Sequence, residues 1–133
     1  MIKVAVGLIF RNMWKEILLC QRRPELPYAF KWEFPGGKVN DGEQIEECLK
    51  RELLEELRIT IRSSDFYHRQ IYEYPKSGVF DVTYFLVHSY DGIPVNHVFN
   101  EISWILINDL QYYDILEGNS AVVQKLLNEY GKI

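Results

Sequence analysis

Apolar residues recur at helical spacing in two stretches of this chain, and aromatic, β-branched runs surround both. The first stretch, Asp41–Leu57, divides two sets of strand-like segments. Before it stand Met1–Phe10 and Glu16–Gln21, a hairpin closed by "RNMWK", then a loop over Arg22–Lys31 that holds Pro24 and Pro27. "KWEFPGG" follows and reads as a short strand stopped by Pro35 and two glycines. After the helix come Phe66–Tyr74 and Val79–Tyr90, joined through "PKSG", and a strand over Glu101–Ile107. The second stretch, Ser120–Tyr130, carries Val122, Val123, Leu126, Leu127 and Tyr130 on one face. Strands, helix, strands, helix is the order of an α/β sandwich, a mixed β-sheet between α-helices.

At 133 residues, 47% of them hydrophobic, residues 1–133 are expected to form one domain with a substantial core. A net charge of −4 argues against a general binder of nucleic acid polymers, whose phosphates call for Lys and Arg in excess. It leaves room for a small phosphorylated ligand carried on a metal ion. Cys20 and Cys48 lie in apolar patterns without a CxxC spacing and read as buried, reduced thiols. "MIKVAVGLIF" is too short and too interrupted for a signal peptide, and no run reaches membrane-span length. A cytoplasmic protein with no membrane contact is the expectation.

Asp41 is a suitable N-cap for the first helix, with Gln44 completing a capping box. Stepping at 3.6 residues per turn, Ile45, Cys48 and Leu49 share one side, and Glu52, Glu55 and Glu56 continue it, bordered by Leu53 and Leu57. The carboxylates therefore face the protein body or a cleft, whereas Glu46, Glu47 and Lys50 face solvent. Two carboxylates ~4 Å apart repel by about 4 kcal/mol at an effective dielectric near 20. A hard divalent cation relieves that repulsion, and all-oxygen ligands suit Mg²⁺ or Mn²⁺. Arg51, one turn from Glu47 and from Glu55, has the planar donors to hold a carboxylate in a fixed direction.

Gly37, five residues, Glu43, seven residues and "RELLEE" resemble the Nudix box. "VAVGLIF", "EILLCQRR", "KWEFPGGK" and Trp104–Leu127 resemble the mutator-type, MutT-like branch, so the likeness spans nearly the whole chain. The resemblance implies a mixed sheet between helices and hydrolysis of a nucleoside diphosphate linked to another group. In the mutator branch that group is phosphate, and a nucleoside monophosphate and pyrophosphate leave. Carried over residue by residue, Glu52, Glu55 and Glu56 match the metal-binding and water-activating glutamates. Arg51 matches the orienting arginine, Glu43 the first, supporting glutamate, and Gly36 a glycine whose carbonyl ligates metal. Any of the glutamates is a candidate general base.

Two positions depart from the pattern. Arg58 stands where the box has a glycine that ends the helix, at a cost on the order of 1 kcal/mol if its φ is positive. Val98 stands where the mutator branch has a further acidic ligand, which makes Glu101 the nearest candidate and His97 an outside one. The resemblance places substrate on Arg22, Glu33, Phe34, Pro35, Gly36 and Asn119. Phe34 would pack on a purine, though core is an equal reading. Asn119, just before the last helix, equally suits an N-cap. An Asn amide supplies a donor and an acceptor for an 8-oxoguanine edge, whereas the related cytidine-directed branch tends to carry Asp there.

The resemblance implies an 8-oxo-dGTP diphosphatase using Mg²⁺ or Mn²⁺, expected as a monomer or homodimer. "PKSG" lacks the charged pair expected near the pocket of the mutator enzymes. Rival substrates are CTP or modified dCTP, dinucleoside polyphosphates, nucleotide sugars and 5′-triphosphate RNA. A catalytically silent nucleotide-sensing module would have lost box glutamates, and none is lost here.

Overall fold

The computed structural model describes residues 1–131. Strand β1 (Ile2–Arg11) turns into β2 (Glu16–Gln21) as an antiparallel hairpin. Asn12, Met13 and Trp14 all take positive φ in the turn. The Trp14 ring is held there against Phe10 and Tyr130, at 4.8 and 5.6 Å between ring centres.

β1 organises the sheet. It pairs in parallel with β6 (Gly78–Asp91) from Ile2 to Ile9, and antiparallel with β4 (Gly36–Lys38) from Val4 to Val6. β5 (Thr60–Tyr74) lies antiparallel on the far edge of β6. β2 carries β7 (Glu101–Leu106) along its length and meets β3 (Trp32–Glu33) at Cys20 and Gln21. The backbone path across the sheet is β3-β2-β1-β6-β5.

Helices cover both faces, so Ala5–Phe10 of β1 are buried throughout, as expected for a strand with parallel pairing inside a layered fold. Successive side chains then serve opposite cores. Ala5 and Ile9 pack with Leu49, Leu53 and Leu57 of α1 (Ile45–Leu57). Val6, Leu8 and Phe10 pack with Val122 and Leu126 of α2 (Ser120–Tyr130). Truncating any of these fully buried leucines to alanine costs ~2–5 kcal/mol. The α/β/α sandwich expected from the sequence is the observed architecture. Among the described residues no helix is long and apolar enough to cross a membrane. Cys20 and Cys48 are buried and unbridged.

Several local expectations are corrected. The short strand β3 does end ahead of Pro35, but the glycines after it form β4, because Gly36 can lie against β1 and Gly37 beneath Glu52 where bulkier residues could not. Helix α1 begins later than expected, with Gln44 rather than Asp41 as its N-cap. Asp41 and Gly42 form a turn, and Glu47 accepts the Gln44 backbone N–H at 3.0 Å. The apolar stripe of α1 does not give way to glutamates: Leu53 and Leu57 carry it to the end. Both strands of the second hairpin run longer than expected, with register shifts in β5 between Ile61 and His68. Arg58 does take the left-handed C-cap conformation, φ 59° and ψ 31°.

Candidate active site

The C-terminal half of α1 sets its glutamates on the flanks of the apolar stripe, facing β4 and solvent. Arg51 gathers them. Its Nε and Nη2 donate to the two oxygens of Glu43 at 2.8 and 3.0 Å, and its Nη1 donates to Glu52 at 2.8 Å and Glu55 at 3.5 Å. Nη2 also donates to the Lys38 carbonyl at 3.1 Å, tying α1 to the end of β4. The Arg51 bonds and the Asn40 backbone N–H, at 3.0 Å, hold the Glu43 carboxyl down to about 2. Burial raises the Glu52 pKa, and Arg51 partly offsets this. Glu55 is the exposed member, its side chain 59% accessible.

Glu56 points inward. Burial pushes its carboxyl up to about 8, and the negative charges of Glu52, Glu33 and Glu55 push the same way. Only the Gly36 backbone N–H, donating to Oε1 at 3.2 Å, opposes this. That contact follows from the strand register. Gly7 N–H donates to the Pro35 carbonyl at 2.8 Å, so pair alternation turns the N–H and C=O of Gly36 away from β1, to the Glu56 side. Gly37 is required for approach: a Cβ there would overlap the Glu52 carboxylate.

Two adjoining cavities open from this cluster. The smaller, about 330 Å³, is lined by Glu56, Gly36, Gly37, Arg23, Val98 and Phe99. The larger, about 500 Å³, is lined by Tyr72, Tyr74, Phe80, Tyr84, Gly118 and Asn119. Val4, Arg22, Glu33, Phe34 and Lys38 line both, so the two form one cleft from the acidic helix to the start of α2. Arg22 donates to both oxygens of Glu33 at 3.2 Å and to the Pro27 carbonyl at 2.9 Å. Burial raises the Glu33 pKa, against the pull of Arg22.

The cluster fits a hard cation by its chemistry. Its donors are all oxygens, and Glu56 is a buried acid with no cationic partner of its own. Among the described residues no three acidic, His or Cys side chains already converge as ligands. Glu52 and Glu55 each give one oxygen to Arg51, and Glu56 gives one to Gly36, so a cation would draw together the second oxygens that these bonds leave free.

Of the residues expected from the sequence, Glu56 and Gly36 line one end of the cleft, and Glu43, Glu52 and Glu55 gather on Arg51 beside that end without lining it. Arg22, Glu33 and Phe34 line its middle, and Asn119 lies at the far end. Pro35 is buried and lines neither cavity. Glu101 is exposed at the start of β7 and lines neither, and His97 accepts from Arg58 instead, at 3.4 Å. The loop residues beside Glu56 are Val98 and Phe99. Asn119 stands at the N-cap position of α2 as expected, but its side chain makes no capping bond: its Oδ1 accepts from the Tyr84 hydroxyl at 2.6 Å. Sequence reasoning passed over Lys38, Tyr74 and Tyr84. The alternation of Phe80, Val82 and Tyr84 on one face of β6 was the available signal.

Comparison with known proteins agrees with this arrangement. The family model for the NUDIX domain matches residues 1–126. An 8-oxo-dGTP diphosphatase of Haemophilus influenzae is 37% identical over 128 residues, covering 96% of this chain and 93% of that protein. An 8-oxo-dGTP diphosphatase of Escherichia coli is 33% identical over 125 residues, covering 94% and 95%. A solved structure from a study of MutT from Aliivibrio salmonicida and Vibrio cholerae superposes with a TM-score of 0.85 at 30% identity, covering 97% of this chain and 98% of that one. With the box residues gathered on α1 and β4 in a matching fold, the chain belongs to the Nudix hydrolase family.

Proposed function

We propose that this protein hydrolyses 8-oxo-dGTP to 8-oxo-dGMP and pyrophosphate, with Mg²⁺ as its working metal and Mn²⁺ as a substitute. The observation that carries the reading is the single cleft, acidic at one end and aromatic at the other, joined by five shared lining residues. Its larger cavity is of a size to take a nucleoside. Relatives that match along nearly their full length are named for this activity.

In this reading Phe34 and the neighbouring aromatic side chains hold the base, and Asn119 pairs with its edge. Lys38, Arg22 and Arg23 face the triphosphate as it runs toward α1. Glu52, Glu55, Glu56 and the Gly36 carbonyl would hold the cation, which when bound neutralises phosphate charge and acidifies the attacking water. Arg51, braced by Glu43, holds Glu52 and Glu55 in place. A glutamate of the cluster takes the proton from water as its oxygen adds to phosphorus. The bond between the α- and β-phosphates breaks, and the monophosphate and pyrophosphate depart. Such a transition state calls for positioning and charge neutralisation more than for covalent help.

A pyrophosphate-release panel over 8-oxo-dGTP, dGTP, dCTP, CTP, a dinucleoside polyphosphate and a nucleotide sugar, with Mg²⁺ and with Mn²⁺, tests this. The expected result is the highest kcat/KM for 8-oxo-dGTP. A higher value for CTP, or for any unoxidised nucleotide, overturns the substrate assignment.

A further inference from the structure

Three tyrosine hydroxyls from the β5–β6 hairpin grip three consecutive residues before α2. Tyr72 donates to Glu117 at 3.2 Å, Tyr74 accepts the Gly118 backbone N–H at 2.6 Å, and Tyr84 bonds Asn119 Oδ1 at 2.6 Å. The approach is tight, because a Cβ on Gly118 would overlap the Tyr74 hydroxyl. Tyr84 is 1% exposed and Asn119 8%, so neither exchanges this bond freely for water. The Tyr84 hydroxyl has a single proton. Its other neighbour, the Gly118 carbonyl, lies at 3.5 Å, beyond the ordinary O–H···O range, so the proton goes to Asn119.

That bond fixes which end of the Asn119 carboxamide faces the cleft. With Oδ1 held by Tyr84, Nδ2 has no hydrogen-bond partner among the described residues, and the residue lines the larger cavity. An amide free to flip would offer an acceptor or a donor with equal ease.

We infer that Tyr84 is a positioning residue that locks the Asn119 carboxamide with its N–H donors toward the base, so the pocket selects purines bearing a 6-oxo group over those bearing a 6-amino group. The inference rests on the proposed role of Asn119 in base recognition, and it adds the device that orients the amide. A carbonyl at position 6 meets the donors, whereas an exocyclic amine leaves donor facing donor. Unpaired groups of this kind discriminate strongly because the buried site cannot rehydrate them.

The test compares 8-oxo-dGTP with 8-oxo-dATP, which share the 8-oxo group and differ at positions 6, 1 and 2; 8-oxo-dITP, which keeps the 6-oxo group without the 2-amino group, separates the edge at positions 6 and 1 from position 2. Wild type, Tyr84→Phe, Asn119→Ala and the double variant are assayed for kcat and KM. Titration calorimetry with 8-oxo-dGMP and 8-oxo-dAMP gives the Kd ratio without turnover. The wild-type kcat/KM ratio should favour the 6-oxo substrate by at least about a hundredfold. Tyr84→Phe should lower the ratio by about tenfold or more, through KM, with kcat on 8-oxo-dGTP changed far less. The double variant should lose no more than Asn119→Ala alone, since both act on one bond. A merely structural tyrosine would weaken both substrates equally and leave the ratio unmoved. The Kd ratio belongs to folded protein only, so partial unfolding of Tyr84→Phe does not disguise the result. Asn119→Asp is the second variant: it keeps an acceptor for Tyr84 and turns an acceptor to the cleft, so its preference should shift toward 8-oxo-dATP. If Asn119→Ala lowers the ratio and Tyr84→Phe does not, the positioning role is overturned while base recognition by Asn119 stands. If Asn119→Ala leaves the ratio unchanged, both fall.

Discussion

Arg51 and Glu43 are joined by two parallel contacts, Nε to Oε2 at 2.8 Å and Nη2 to Oε1 at 3.0 Å. One comes from the helix and the other from the turn before it, so the fork locks α1 to its own entry loop. The same guanidinium reaches Glu52, Glu55 and the Lys38 carbonyl, while lining neither cavity.

Arg51→Lys should therefore harm turnover more than substrate binding. A lysine ammonium cannot keep a two-pronged contact with Glu43 while holding Glu52. Losses of this supporting kind run to about 10–100-fold, and most of the loss should fall on kcat. Steady-state kinetics on 8-oxo-dGTP at saturating Mg²⁺ decide it, and an unchanged kcat would remove the supporting role.

The buried acid predicts a pH dependence of the metal-free protein. Glu56 titrates near 4.5 when unfolded and at about 8 in the fold. Between those values the folded state keeps a proton that the unfolded chain has released, so stability falls as pH rises from about 4.5 to about 8. Each pKa unit is worth about 1.4 kcal/mol, so the loss is on the order of a few kcal/mol. Urea melts in EDTA at pH 5 and pH 8 should show it. Glu56→Gln should flatten the trend, and a variant that keeps the full slope would assign the effect elsewhere.

Glu55 is the ligand candidate least engaged by the fold, exposed and only 3.5 Å from Arg51 at its nearest. Glu55→Gln should leave the melting temperature of the metal-free protein within a few degrees of wild type. Removing a metal-holding carboxylate forfeits several kcal/mol of transition-state stabilisation, so kcat/KM should fall by at least about a hundredfold. Wild-type turnover at saturating Mg²⁺ would sink the role.

Arg58 occupies a left-handed conformation that disfavours a side chain with a Cβ. Its backbone N–H donates to the Leu54 carbonyl at 3.1 Å, a bond glycine preserves. Arg58→Gly should raise stability by up to about 1 kcal/mol. A lower denaturant midpoint would mean that the side-chain contact with His97 outweighs the strain.

The parts legible in the sequence are those set by period and spacing. Both helices, the seven-residue step to Arg51 and the acidic cluster follow from local pattern, and α2 occupies the residues expected for it. What escaped depends on contacts between distant segments. Gly36 and Gly37 read locally as a strand terminus, yet packing on β1 and beneath Glu52 makes them a strand. Asn119 reads locally as a cap, yet its partner is a hydroxyl 35 residues away. Asp41 and Gln44 are both able caps, and Gly42, at φ 77°, makes the turn that leaves the task to Gln44. Glu101 is the carboxylate nearest to Val98 in sequence, yet its exposed place on β7 follows from a pairing with Gln21 that spacing does not reveal.

The two cysteines bear on the chemical surroundings in which such a protein works. Cys20 is fully buried, and burial together with Glu33 and Glu56 raises its thiol well above the usual range. Cys48, on the buried face of α1, lies against the carbonyls of Gly37 and Lys38, and burial, then Glu43, pushes it up to about 11. Thiolates rather than thiols react with peroxides, so both sulfurs stay nearly inert at neutral pH. Burial first, and the neighbouring carboxylates after it, thus shield both sulfurs from oxidation. A catalyst proposed to clear oxidatively damaged nucleotides would keep working under the same peroxide stress that creates its substrate.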